Sequence, residues 1–426
     1  MPKIVVVGGG WAGCAAALSA RQAGAEVALV EKTDCLLGTG LVGGIMRNNG
    51  RFTAAEEMIA MGGGGLFQLA DSVARHTNVE FPGHEHATLY DVALMEPAVR
   101  RHLLEQGIEL RMMARARDVV KTDSCLEAVI LDGEERLEAD TFVEATGSAG
   151  PQANCRKYGN GCAMCVLRCP SWGGRVSIAA RAGVQEMVGR RSDGSVGAMS
   201  GSCKLHKDSV DPAIADELNR SGVYVVPIPK DLIHTEKLAA KACQQYALPA
   251  FAENLVLLDT GHVKLMTSFY PLDELRRIPG MENSRYEDPY AGGRGNSIRY
   301  LALSPRDDHM KVEGLDNLFC AGEKAGLLVG HTEAICTGTL AGHNAVRRAL
   351  GRPLVSIPRK TAVGEAIAFV REQMQTEEGM TRKYTFSGAI YFERMKEMGI
   401  YTTDVMAIRQ RVVEAGFEDF FAREVR

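Results

Sequence analysis

"KIVVVGGGWAGCAAALSARQAGAEVALVEK", residues 3–32, decides the fold. Ile4–Val7 is an unbroken apolar run, "GGG" interrupts it, and a run of small residues follows as far as a closing Gly24. "EVALVEK" then reads as a second buried strand. Continuous apolar strands, rather than alternating ones, belong to parallel sheets covered on both faces. The order strand, glycine turn, helix, strand opens a doubly wound α/β sheet.

The turn carries Gly8-x-Gly10-x-x-Gly13 between strand and helix. The first glycine permits a tight turn, the second lets backbone approach a pyrophosphate, and the third lets the helix pack close to the sheet. Phosphates then meet unpaired N–H groups and the positive end of the helix dipole. Glu31 ends the second strand eighteen residues after Gly13, about where an acid binds ribose hydroxyls.

The chain has 426 residues, enough for two or three domains, with 46% hydrophobic and 24% charged residues. A net charge of −4 gives no overall basic field for nucleic acid or an anionic membrane. Ile4–Ala20 is uncharged, but one preceding lysine and three glycines fit neither a signal peptide nor a span. No later run reaches the roughly eighteen apolar residues of a spanning helix. The expected location is the cytoplasm, without a membrane partner. Eleven cysteines there stay reduced and do not form a disulfide framework.

Further along, Glu56–Thr77 and Asp91–Gln106 read as helices. The stretches 108–123 and 125–147 alternate as strands, with a hairpin turn at Asp132-Gly133. "NLFCAGE" (317–323) is another buried strand, followed by a helix ending at Gly351. The expected organisation is a discontinuous FAD-binding domain over 1–150 and 301–355, an inserted α+β substrate domain with a cysteine loop over 151–300, and a helical C-terminal cap over 356–426.

"FVEATG" (142–147) and "NLFCAGE" make the chain resemble the glutathione-reductase-type FAD oxidoreductases. That resemblance implies FAD, with Thr146 and Gly147 under the cofactor and Glu323, after Gly322, on the flavin ribitol. It puts Gly330, His331 and Thr332 near the flavin ring, at a helix N-terminus suited to negative charge on the reduced ring. Lys32 and Gly44 complete the cofactor contacts expected. "LRRIPGMEN", "NLFCAGEKAGLLVGHTEAICTGTLAGHNAVRRALGRP" and "TAVGEAI" further resemble the GidA-like flavoproteins, which include folate- and FAD-dependent tRNA methylating enzymes. In the methylating branch a cysteine is expected in the loop after Glu31. Here "LLGTGLVGGIMRNNG" holds none.

"NCRKYGNGCAMCVLRCP" (154–170) sets Cys155, Cys162, Cys165 and Cys169 in C-x6-C-x2-C-x3-C-P spacing. Its tail matches bacterial ferredoxin loops, which predicts a [4Fe–4S] cluster. Gly159 and Gly161 free the backbone to turn around it. The alternatives are a zinc site, which normally uses two C-x2-C knuckles, and a C-x-x-C dithiol, which leaves two cysteines unexplained. Cys203 is a reserve ligand. Cys14, Cys125, Cys243, Cys320 and Cys336 read as packing residues. The segment, with its "YGNGC" approach and "CPSWGGRVSI" exit, also resembles iron–sulfur FAD oxidoreductases of bacteria.

Flavin next to a one-electron cluster converts two-electron into one-electron chemistry. The expected function is therefore an FAD- and [4Fe–4S]-dependent oxidoreductase of a small molecule, served by a one-electron protein such as a ferredoxin. Nucleic acid is not expected as a partner on this reading. Arg294, Arg299 and Arg306 are candidates for holding a carboxylate or phosphate, against a solvated structural role. Arg294 and His331 are the catalytic candidates, and His309 has no identifiable partner. The alternatives are a folate- and FAD-dependent tRNA-modifying enzyme and an electron carrier or redox sensor.

Overall fold

The computed structural model describes residues 1–149, 169–200, 203–240, 244–266, 270–287, 297–299 and 301–426. At its centre lies a five-stranded sheet of β1 (Lys3–Val7), β2 (Glu26–Val30), β3 (Glu109–Arg111), β4 (Thr141–Glu144) and β5 (Leu318–Cys320), in the order β5-β4-β1-β2-β3. All four pairings are parallel, and Val6 of β1 sits between Leu29 of β2 and Val143 of β4. Ile4, Val5 and Val6 have no exposed surface, which is why these strands are apolar without alternation. The α/β expectation holds.

Five helices frame the sheet and the cleft: α1 (Trp11–Gln22), α2 (Gly50–Ala60), α3 (Val92–Glu105), α4 (His331–Ala349) and α5 (Ala362–Gln373). Helices α1 and α4 pack backbone to backbone. A β-carbon on Gly338 would fall 2.2 Å from the Ala12 carbonyl oxygen, and one on Gly342 would fall 2.1 Å from that of Ala16. Small residues in "WAGCAAALSA" and "TGTLAGH" are thus the sequence cause of this contact. Glu57 of α2 caps α5, accepting from the Ala362 and Val363 N–H groups at 2.9 and 3.0 Å.

Beyond this body, strands 203–205, 263–265, 254–259 and 223–227 form a four-stranded antiparallel sheet with the helix Pro212–Ser221. It has its own core, including Leu218, Leu257 and Tyr270. A third cluster, with Ile45, Phe81, Leu89, Tyr246 and Phe251, holds the hairpin 74–90 against it. The hairpin corrects the helix expected over Glu56–Thr77. Glycines 62–64 separate the end of α2 from a short helix Gly65–Ser72, and from Ala74 the chain is a strand, Ala74–Phe81, paired with His84–Tyr90. The turn at Asp132-Gly133 forms as expected, with Gly133 at φ +88°.

Of the four cysteines expected to hold a cluster, Cys155, Cys162 and Cys165 lie outside the described residues, as does Cys243. Cys169 opens the short helix Cys169–Trp172. Among the described residues no group of three or more His, Cys, Asp or Glu side chains is placed to hold a metal. The reserve ligand Cys203 is fully buried in the core of the antiparallel sheet. Cys14, Cys320 and Cys336 are fully buried, and burial raises each thiol pKa, as packing residues require. Cys125 is the exception: it is exposed at the edge of its strand, with its thiol 3.9 Å from Asp316. No helix among the described residues is long and apolar enough to cross a membrane.

Candidate dinucleotide and flavin cleft

The C-terminal ends of β1, β2, β4 and β5 open onto one cleft, where ligands bind in doubly wound sheets. Gly8, with φ +103°, turns the chain out of β1 and brings its backbone under β4. A β-carbon there would fall 2.4 Å from the Ala145 carbonyl oxygen. One on Gly13 would fall 1.7 Å from the Gly8 carbonyl oxygen, so glycine is what lets α1 close on the strand. Gly10 differs, because a β-carbon there meets nothing within 4 Å. It caps α1 with no side-chain hydrogen bond, leaving the helix N-terminus to the cleft. An open space bordered by glycine backbone and a helix N-terminus fits a pyrophosphate.

Glu31 is buried at the end of β2 and lines the cleft. Its carboxylate accepts from Gly9 N–H at 2.7 Å and Thr33 N–H at 2.8 Å, which fixes it relative to the glycine turn. Lys32 also lines the cleft and donates to the Gly173 carbonyl at 2.9 Å. Thr146 and Gly147 form the wall past β4, with the Thr146 hydroxyl donating to Glu144 at 2.8 Å. Past β5, Gly322 and Glu323 face the cleft, and Ser148 donates to the Glu323 carboxylate at 2.7 Å.

At the far end stand Gly330 and His331, the N-cap and first residue of α4. Gly330, at φ +150°, has no room for a side chain, since Glu333 and Arg51 fill that position. His331 tilts against Trp11, with ring centroids 6.1 Å apart. Thr332 is fully buried behind the wall, its hydroxyl 3.8 Å from the Met46 sulfur. Gly44 also stands outside the lining. Its Cα faces Thr260, and its neighbour Gly43 lines the cleft.

Arg294 lies outside the described residues. Arg299 pairs through its backbone with Ala198 in a short antiparallel ladder. Arg306 is neither in the cleft nor solvated. It is 2% exposed and donates to the carbonyls of Ala325 at 3.0 Å and Ile367 at 2.9 Å. Its guanidinium is therefore spent on backbone acceptors, the Asp307 carbonyl among them, and on the Asp308 carboxylate 3.6 Å away. The imidazole of His309 has a buried Nδ1 without a hydrogen-bond partner and takes no part in the lining.

Several cleft groups escaped the sequence. Glu144, fully buried in β4, accepts from Ala179 N–H at 2.8 Å and lies 3.7 Å from the fully buried Lys324. Lys324 also pairs with Glu186, which binds Arg175 on the cleft wall at 3.1 Å. These cations hold the Glu186 carboxyl below its usual range despite burial. An acid inside the apolar run "TFVEA" was the available signal for this network. Arg51, 3% exposed and on the cleft wall, pairs with Glu333 at 3.1 Å, and Thr385 and Phe386 N–H complete the carboxylate's partners. The second sheet and the segment between its strands 223–227 and 254–259 supply Gln245, Tyr246, Lys264 and Met266. Behind Gln245, His84 bonds its carbonyl at 3.1 Å through Nε2 and meets Asn48 at 2.9 Å through Nδ1. No pattern in the one-dimensional sequence links these positions.

Among solved structures, GidA from Aquifex aeolicus superposes with a TM-score of 0.67 at 16% identity, covering 98% of this chain and 74% of that one. A second crystal form of the same protein gives 0.57 at 14% identity, with 97% and 78% coverage. Among curated relatives, a protein of Dinoroseobacter shibae named methylenetetrahydrofolate–tRNA-(uracil-5-)-methyltransferase TrmFO is 38% identical over 93 residues, 22% of this chain and 20% of that protein. The TrmFO of Caldicellulosiruptor bescii is 30% identical over 112 residues, 26% and 24% of the two chains. The chain thus matches only about a fifth to a quarter of the length of these relatives. These matches overturn the expected iron–sulfur oxidoreductase, because the relatives carry the name of the folate-dependent tRNA-methylating class that stood as the alternative. A family model described as glucose inhibited division protein A matches residues 3–252 and 252–353, and the chain belongs to that flavin-dependent family.

Proposed function

We propose that this chain is an FAD-dependent enzyme that transfers a one-carbon group from a reduced folate to a base of tRNA. The observation that carries the reading is the cleft itself. It runs from the open space at Gly10 to His331 at the start of α4, where Tyr246 and Lys264 of the antiparallel-sheet region also line it. The names of the curated relatives supply the reaction class. Bound FAD supplies an acceptor and donor of two electrons.

This chain's own residues then have separate tasks. Gly8, Gly10 and Gly13 would admit the phosphates, Glu31 would orient the ribose, and Glu323 would hold the ribitol. His331 is the imidazole on the cleft wall and the group in position to move a proton at a ring nitrogen. Tyr90 is fully buried beside it, and burial raises its phenol pKa, so it stays neutral and directs its hydroxyl toward the Gly40 carbonyl at 3.5 Å. Among the described residues, no cysteine lines the cleft. The nearest in sequence, Cys35, sits outside it.

The test is incubation of the FAD-loaded protein with an unmodified tRNA transcript, methylenetetrahydrofolate labelled on its one-carbon group, and a reductant. Label recovered in one nucleoside by mass spectrometry is the expected result. Absence of label in tRNA, with flavin turnover intact, refutes the reading.

A further inference from the structure

Gln245 sits in the short turn Gln244–Tyr246 and lines the cleft. It is 4% exposed, and its Oε1 is buried without a hydrogen-bond partner among the described residues. Loose packing is not the cause. The Gln245 carbonyl accepts from His84 Nε2 at 3.1 Å, and Nδ1 of that ring accepts from Asn48 at 2.9 Å and Asn49 at 3.3 Å. Gly388 closes on the residue from another side, where a β-carbon would fall 2.6 Å from Cβ of Gln245. The backbone is therefore fixed while the amide acceptor stays open. The same bonds run on to α4, because Asn48 accepts from Arg51 at 3.3 Å and Arg51 pairs with Glu333. Gln245 thus belongs to the α4 end of the cleft. A buried acceptor without a partner lowers stability, and native folds keep few of them.

We propose that the Gln245 carboxamide binds the substrate base, Oε1 accepting from a ring N–H and Nε2 donating to the carbonyl beside it. The inference rests on the function proposed above, and the base with that edge is uracil in the reaction for which the curated relatives are named. The last torsion of a glutamine is broad, so the amide turns Oε1 to the cleft while the backbone stays held. Gly8, Gly10, Gly13, Glu31 and Glu323, the groups assigned to FAD, all stand on the central body. Gln245 comes from the segment between two strands of the antiparallel sheet, so it meets a ring lying between that segment and the flavin.

The experiment compares wild type with Gln245→Met and Gln245→Leu, which keep the bulk and remove both polar atoms. The substrates are the unmodified tRNA transcript and the same transcript with N3-methyluridine at the position that wild type labels, where no ring N–H is left. With FAD bound, kcat/KM for the unmodified transcript is expected to fall about tenfold or more, the effect of a hydrogen bond lost in a closed site. The preference for uridine over N3-methyluridine should shrink about tenfold in Gln245→Met, since the two losses act on one contact. FAD affinity by fluorescence titration and the urea midpoint of the flavin-free protein should not fall, because Oε1 has no partner there to lose. Unchanged kcat/KM or an unchanged preference overturns the inference. So does weaker FAD binding in both variants, which gives the amide to the flavin, or a lower urea midpoint in both, which gives it to the fold. Wild-type protein that labels no tRNA refutes the proposed function and this assignment with it, a failure seen before any variant is made.

Discussion

Substitution at two glycines of the same motif separates cofactor binding from folding. Gly10 has φ −67° and ψ 179°, an extended conformation open to any residue, and a β-carbon on it meets no atom within 4 Å. Gly10→Val therefore strains nothing in the empty protein, and its stability should change by no more than about 0.5 kcal/mol. The new methyl groups stand in the space bordered by the α1 N-terminus, where phosphate would meet free N–H groups. Losing two charge-assisted hydrogen bonds there, at about 1.5–3 kcal/mol each, weakens FAD binding by about 3–6 kcal/mol, or roughly 100-fold to 10,000-fold. Gly13→Ala is the contrast. Its β-carbon would lie 1.7 Å from the Gly8 carbonyl oxygen, against the roughly 3.3 Å that such atoms tolerate. Helix α1 must lift from β1, at a cost of about 3 kcal/mol or more. Urea unfolding of the flavin-free proteins and fluorescence titration with FAD measure the two effects. Gly10→Val retaining wild-type FAD affinity would refute the placement of the pyrophosphate. Gly10→Val unfolding as early as Gly13→Ala would refute the claim that the space is open.

Glu144→Ala removes the carboxylate that faces Lys324 and leaves a fully buried ammonium with less compensation, so it should destabilise the protein by about 3–5 kcal/mol. Glu144→Gln, which keeps an acceptor for Ala179 N–H, should lose less, as read from urea midpoints. Two buried histidines predict acid sensitivity. Burial holds His84 at a pKa of about 3 and His343 at about 4, both below the ordinary 6.5. His84 already accepts at Nδ1, and both ring nitrogens of His343 are buried without partners beside Phe420 and Phe421. The unfolded chain thus binds more protons than the native one below pH 6.5. Stability is full above that pH and falls toward pH 4 by about 1.4 kcal/mol per pH unit for each histidine. His343→Phe should flatten the fall, and a fall in stability unchanged in that variant argues against a neutral buried His343.

The sequence by itself determined the central layer. Apolar β1 and β2, the three spaced glycines and the small-residue helix are local features, because strand burial and close packing leave their mark at consecutive or evenly spaced positions. Glu31 could be picked out because it directly follows β2, at the edge where such sheets bind ligands, and Glu323 because "NLFCAGE" resembles a motif of the FAD oxidoreductases. What only the tertiary structure decided lies off that layer. Gln245, Tyr246 and Lys264 reach the cleft because the antiparallel sheet packs over it, and Arg51 meets Glu333 across 282 residues. Arg306 looked like a surface arginine near a substrate, yet its partners are the backbone carbonyls of Ala325 and Ile367. The cysteine spacing misled the functional reading for the opposite reason. It is a strong local pattern, but a reaction is set by what converges on a cleft, and such convergence is a property of the folded chain alone.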